Sequence, residues 1–434
     1  MTEEARESVD VVVLGLGSGG EYAARKLAEA GLSVVGVERD LVGGECPFWG
    51  CTPSKLLIHS AQRGDPWSRA AGRIREANHD WSDHSHAEPL AEAGVRIVRG
   101  EGRLAGPGRV QIDGTTYDAR LGVLLNTGTR PAVPDLDGLD GTPYWTNRDV
   151  MRQTEAPASL AVLGGGPIGC ELAQAFAKFG TRVTMLEMRD RVLCPEEPEA
   201  CEVVSAAMRR DGVEVRTGVE VTAVRYDGAF TLTVDDDTLT AARLLVAVGR
   251  DMGLPDLGLE TVGLDPEADS IETDERMRAA ERLWAVGDVT GRGAYTHLSL
   301  YQARIAVRDL LGEDGPWADH HAISRVTFTD PEVGAVGLTE EQARDAGLRV
   351  AVGHADVAAS SRGWIAEAEG VVKVVADADR GVLVGATVAA PYGGEVIGLL
   401  TAAVHAAIPV ATLREMQYAY PTFHRAIARA LDDL

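Results

Sequence analysis

The chain has 434 residues, too many for one hydrophobic core, and this length points to about two to four domains. Hydrophobic residues make up 45% and charged residues 25%, the balance of an ordinary globular protein. A net charge of −24 speaks against nucleic-acid binding or docking on an anionic membrane, and no run of about 18 apolar residues marks a membrane span.

The acidic N-terminus, MTEEARESVD, runs directly into a strand and does not read as a signal peptide. Five cysteines are too few for a structural disulfide framework, so a cytoplasmic location is expected. Residues 9–14 are apolar and mostly β-branched apart from Asp10, the pattern of a buried parallel strand. Gly15, Gly17 and Gly20 follow in G-x-G-x-x-G spacing, a helix is predicted over 21–29, and a second strand over 33–37 ends in Glu38. This is a complete βαβ dinucleotide fingerprint. Its glycines admit a pyrophosphate at the helix start, where the dipole favours anions, and Glu38 is placed to accept from a ribose diol.

The unit recurs about 150 residues later. A strand over 160–163 leads into Gly164, Gly166 and Gly169, then a helix, then a strand over 182–186 ending in Glu187. Two such units imply two nucleotides, FAD and a nicotinamide. Glu187 predicts NADH over NADPH, because a carboxylate repels a 2′-phosphate, although Arg189 and Arg191 stand just beyond it. Between the units, 94–120 alternates as short strands. The stretches NTGTRP, carrying Thr127 and Gly128, and AVGRD each end an apolar strand. AVGDVTG, carrying Asp288, ends another, and a helix is predicted over 299–311. Residues 313–321 read as a linker, and 325–434 as a separate α+β domain without a fingerprint.

After the first unit comes GGECPFWGC, in which Gly43 and Gly44 precede Cys46 and Cys51. A metal clip would want a second pair nearby, and Cys170, Cys194 and Cys201 are scattered elsewhere, so no metal site is read. Two inert thiols fit poorly beside a flavin site. A redox pair fits better, since CTPSK begins a helix with Pro53 in its first turn and a helix N-terminus favours a thiolate.

Taken in order, GLGSGG, GGECPFWGCTPSK, NTGTRP, GGGPIGCE, AVGRD, AVGDVTG, FTDPEVGAVGLTE and YAYPTFHRA resemble the class I pyridine nucleotide–disulfide oxidoreductases over nearly the whole chain. The family includes lipoamide dehydrogenase and the glutathione, mycothione and mercuric reductases. The resemblance implies two Rossmann-like nucleotide domains and a C-terminal α+β dimerisation domain. It divides the chain into 1–148 (FAD), 149–272 (nicotinamide), 273–318 (FAD, return segment) and 322–434 (interface), and implies a homodimer. It makes Cys51 the thiol beside the flavin and Cys46 the outer interchange thiol. Lys55 becomes the lysine near flavin N5, with Glu171 as its ion-pair partner, and Asp288 the aspartate on the ribityl chain.

The pattern breaks at the C-terminus. Thiol-disulfide members carry a His-Pro-Thr motif with a glutamate five residues after the histidine. Here Tyr420 and Arg425 hold those positions, with His424 close by. A tyrosine of ordinary pKa near 10 donates a proton at neutral pH but is a poor base. The segment 56–93 is also short, and within 64–89 only one helix, 66–77, is expected, with His79, His84 and His86 solvated. Phe48 and Trp49 are read as packing ahead of substrate stacking. The expected function is reduction of a small disulfide acceptor by NADH through FAD and Cys46–Cys51, with Tyr420 or water as proton donor. The rivals are an NAD(P)H:quinone or metal-ion reductase in which electrons leave from the flavin, and a non-catalytic flavoprotein partner.

Overall fold

The computed structural model describes residues 5–434, so the first four residues of the acidic N-terminal stretch lie outside it. The chain forms two compact units, Met1–Ser54 with Gly72–Pro131 and Arg250–Asp319, and Lys55–Ala71 with Ala132–Gly249 and His320–Leu434.

The first unit is built on a mostly parallel sheet. Ala5–Leu14 lies between Val34–Glu38 and Thr115–Leu125, with Arg96–Arg99 beyond the one and Leu283–Ala285 beyond the other. The late strand Leu283–Ala285 therefore returns to the sheet begun by the N-terminus. Val12, Leu14, Val35, Val37 and Val123 enter one core, and Val11, Val13, Val34 and Leu124 the other. This alternation is the period of two of a strand, and because both faces are covered the sequence reads as unbroken apolar runs. Helices Ser18–Glu29 and Thr296–Leu310 close the second core with Ala23, Ala24, Leu27, Ala303 and Ala306. The later helix begins three residues before its predicted start.

The second unit holds a parallel sheet in the order Glu214–Thr217, Arg182–Glu187, Ser159–Leu163, Arg243–Val246. An antiparallel meander, Val221–Tyr226, Phe230–Val234 and Asp237–Ala241, packs Phe230 and Leu232 with Leu163 and Leu244 in one core. Trp67 anchors the segment Lys55–Ala71 here, its ring 5.0 Å from those of both Phe176 and Phe179. The C-terminal part is an antiparallel sheet, Ser324–Thr327, Glu332–Gly337, Val382–Ala390, Val371–Asp377, Val350–Asp356. Helices Gly393–His405 and His424–Asp432 bury Ile397, Leu400, Ile427 and Leu431 against it.

One expectation fails between residues 56 and 93. Besides Trp67–Ala77, a second helix spans His84–Glu92. It buries only Leu90 and contains Pro89, so neither periodicity nor breaker rules reveal it. His86 is only partly solvated: its side chain is 30% exposed and its Nδ1 lies 3.3 Å from Glu21. The Glu21 contact raises its pKa against the opposing effect of burial. His79 and His84 are exposed.

A buried ion cluster joins parts of the second unit. The Lys373 side chain is 3% exposed and its Nζ lies 2.9 Å from Glu197, 2.9 Å from Glu199 and 3.0 Å from Glu340. Burial pulls its pKa down, but hydrogen bonds to the three carboxylates outweigh that and hold it above the ordinary lysine value. Lys373→Ala would leave Glu197 buried without its cation. Removing one partner of a buried pair costs about 3–5 kcal/mol, so the expected outcome is a clear fall in melting temperature by calorimetry.

Candidate active site

At the first fingerprint the strand Ala5–Leu14 gives way to Gly15, whose φ is +87°; a Cβ there would lie 2.3 Å from the Asn126 carbonyl oxygen. Gly17 stands at the N-cap of Ser18–Glu29 and forms a bridge with Gly43, while Gly44 caps the short helix Glu45–Phe48. The Gly20 amide donates to Asn126 Oδ1 at 2.6 Å, and Asn126 Nδ2 donates to the Val286 carbonyl at 3.0 Å and to Ser299 Oγ at 3.2 Å. Asn126 thus ties the turn to two distant segments, a role that its place in NTGTRP did not reveal.

Glu38 lies at the strand end, with its two oxygens accepting from the amides of Leu16 and Asp40, each at 2.8 Å. Burial raises its pKa against those backbone bonds. Asp288 accepts from the Thr129 hydroxyl at 2.7 Å, and burial raises its pKa too. Thr129 in turn accepts from Arg250 Nε at 2.9 Å. The Thr127 hydroxyl, next to Gly128, is buried and has no hydrogen-bond partner within the protein. An orphaned buried hydroxyl, an uncapped helix start and an acidic strand end suit a bound dinucleotide such as FAD.

The second fingerprint repeats the arrangement. A Cβ on Gly164 would lie 2.3 Å from the Ala247 carbonyl oxygen, Gly166 stands at the N-cap of Pro167–Lys178, and Gly169 lies in its first turn. Glu187 accepts from the Gly165 amide at 2.6 Å and the Arg189 amide at 2.8 Å. Cys170 and Cys201 are buried nearby, and burial pushes the Cys201 thiol up to about 11.

Cys46 lies in Glu45–Phe48, partly exposed, and Cys51 is the exposed first residue of the helix Cys51–Gln62. Phe48 and Trp49 between them are 1% and 3% exposed, so both are packing residues. Cys51 Sγ lies 3.3 Å from Thr296 Oγ1, a neighbour with no signal in the sequence because it comes from a helix 245 residues away. Lys55 follows Cys51 by one turn on the same helical face. Its Nζ is 2.9 Å from Glu171 Oε2, and the Glu171 side chain is only 7% exposed. The other carboxylate oxygen accepts from the Phe328 amide at 2.8 Å, and the Lys55 ammonium sits 4.7 Å from the centre of the Phe328 ring. Phe328, the first residue of FTDPEVG, carries no local signal of this contact in the sequence. Tyr420 is 73% exposed and donates to Ser361 Oγ at 2.8 Å, and His424 opens the last helix.

Residues 9–308 match the family described as pyridine nucleotide-disulphide oxidoreductase, and residues 323–431 match the dimerisation domain of that family. A dihydrolipoyl dehydrogenase of Chlorobaculum tepidum is 33% identical over 98% of this chain and 96% of its own. A mercuric reductase of Streptomyces lividans is 32% identical over 98% and 96%. Among solved structures, the Cu(II) complex of the HOCl-induced flavoprotein disulfide reductase RclA from Escherichia coli superposes with a TM-score of 0.89 at 27% identity, covering 98% of this chain and 99% of that one.

The raised pKa of Asp288 has a definite sign. A carboxyl whose folded value lies above 3.8 carries a penalty that sets in as pH rises past 3.8 and is complete above the folded value. Asp288→Asn should therefore raise the melting temperature of the FAD-free protein at pH 7, with the difference closing below about pH 4. Melting curves across that range test it.

Proposed function

The chain belongs to the pyridine nucleotide-disulphide oxidoreductases, and on that footing we propose that it uses NADH to reduce a small disulfide acceptor through Cys46 and Cys51. The enzyme class is that of FAD-dependent, NAD(P)H-linked oxidoreductases, and its dimerisation domain makes a homodimer the working assembly. Gly15, Gly17, Gly20, Glu38, Gly43, Gly44, Thr127, Gly128 and Asp288 would hold FAD. Gly164, Gly166, Gly169 and Glu187 would hold the nicotinamide nucleotide, with Glu187 disfavouring a 2′-phosphate. Bound FAD supplies a carrier that takes hydride from NADH and yields an electron pair to a disulfide.

The protein's own groups do the rest. Lys55, fixed by Glu171 and Phe328, places a positive charge where negative charge develops. The Cys51 sulfur, at a helix start and beside the Thr296 hydroxyl, is favoured as a thiolate. The Cys46 thiolate attacks the acceptor disulfide, forming a mixed disulfide and releasing the first thiol. The Cys51 thiolate then attacks the Cys46 sulfur, releasing the second thiol and closing Cys46–Cys51. Two protons are needed for the two leaving groups, and Tyr420 or water donates them. The observation that carries this reading is the Lys55–Glu171 pair one helical turn after Cys51.

A second reading is favoured by Tyr420 and Arg425 at the positions of the family's His-Glu dyad. In it the protein reduces quinones or metal ions and the cysteines are bypassed. General acid-base help is worth about 10²–10⁴ in rate, so its loss weighs against fast disulfide turnover. One variant separates the two. Cys46→Ser should keep its FAD and lose NADH-dependent reduction of a disulfide acceptor by about 10²-fold or more, by analogy with removal of an essential nucleophile. Full quinone reduction by Cys46→Ser, with no disulfide activity in the wild type, would instead establish the second reading.

A further inference from the structure

Between the helices Trp67–Ala77 and His84–Glu92 the backbone makes a left-handed turn, with φ of 47°, 54° and 61° at His79, Asp80 and Trp81. Consecutive side-chain-bearing residues rarely adopt this conformation, and a bulky tryptophan least of all. Such a run persists only where its surroundings over-determine it.

Those surroundings are the stretch 42–49. Asn78, 1% exposed, donates from Nδ2 to the Phe48 carbonyl at 3.0 Å. The Trp81 ring stacks on Trp49, with centroids 5.9 Å apart and planes at 22°. The Val42 amide donates to Asp83 Oδ2 at 2.8 Å, and Asp83 is held by Arg99 at 2.6 Å. The His86 ring meets Phe48 edge-on at 5.6 Å and is anchored by Glu21. Phe48, Trp49 and Gly50 separate Cys46 from Cys51 after Pro47, so the strap 78–86 grips the chain between the two sulfurs.

We propose that this strap positions the cysteine pair, with Asn78 and Trp81 as positioning residues that hold the 46–51 loop in a form from which the sulfurs close. The proposal rests on the reading that Cys46 and Cys51 cycle between dithiol and disulfide. A disulfide forms only when its Cβ atoms approach to about 3.5–4.5 Å. Buried anchors at Phe48 and Trp49 restrict the dithiol to few conformations and raise the effective concentration of one sulfur at the other. The strap therefore favours the disulfide over the dithiol.

The test equilibrates intact, FAD-loaded protein with mixtures of reduced and oxidised dithiothreitol, traps thiols by alkylation and reads them by mass. Two electrons and two protons pass between protein dithiol and oxidised dithiothreitol, giving protein disulfide and reduced dithiothreitol. Trp81→Ala should move the half-oxidised point about tenfold toward the dithiol, equivalent to about 30 mV for a two-electron couple. Trp81→Phe should restore the wild-type point. If Trp81→Ala does not fold, Asn78→Ala carries the test in the same direction. A strap that merely stabilises the fold would lower the melting temperature and leave the couple unmoved, and that result overturns the proposal. A wild type with no two-thiol couple at Cys46 and Cys51 overturns the disulfide reading as well.

Discussion

A carboxylate sealed from water is the constraint around which the second unit is arranged. Glu171 is almost fully buried, and an isolated buried charge costs several kcal/mol. The cost is met by satisfying both oxygens: one faces the Lys55 ammonium, the other the Phe328 amide. Those two partners come from the helix that begins at Cys51 and from the turn after the strand Ser324–Thr327. Both oxygens are satisfied only when both segments are in place. Its pairing therefore fixes where Lys55 stands. The Phe328 ring beneath the ammonium adds a cation–π contact, which further limits where the lysine can go.

Each fingerprint depends on a different constraint, the absence of a side chain. At Gly15 and at Gly164 the helix-start turn passes so near the next strand's exit that a methyl group would collide with a carbonyl oxygen. The same close approach appears in both units, with Asn126 reinforcing the first through Gly20, Val286 and Ser299. The spacing that makes each fingerprint is thus also what strand packing requires.

What the sequence reveals and what it hides divide along physical lines. The strands were legible because burial on both faces leaves continuous apolar runs, and the fingerprints because glycine spacing and a terminal acid are local. The cysteine pair was legible by spacing and helix start, and Lys55 and Glu171 through the family resemblance. Thr296, Phe328 and Asn126 were not, because each acts through a partner far along the chain and none belongs to a residue type that signals chemistry. The helix His84–Glu92 is not legible because a single buried leucine gives no periodicity and Pro89 reads as a breaker. The surroundings of His86 are hidden for a related reason: they are supplied by Glu21 and Phe48, which no local pattern connects to it.

The Lys373 cluster bears on how this protein responds to its ionic surroundings. The chain carries an excess of 24 negative charges, and their mutual repulsion works against compactness. Dissolved ions weaken that repulsion, since exposed charges more than about 8–10 Å apart are screened at physiological ionic strength. They do not reach a lysine sealed among Glu197, Glu199 and Glu340. Exposed pairs such as Arg39–Glu101 and Arg349–Asp379 lose a little as salt rises, but pairs of that kind contribute little to begin with. Added salt thus weakens the repulsion while screening the buried Lys373 cluster little.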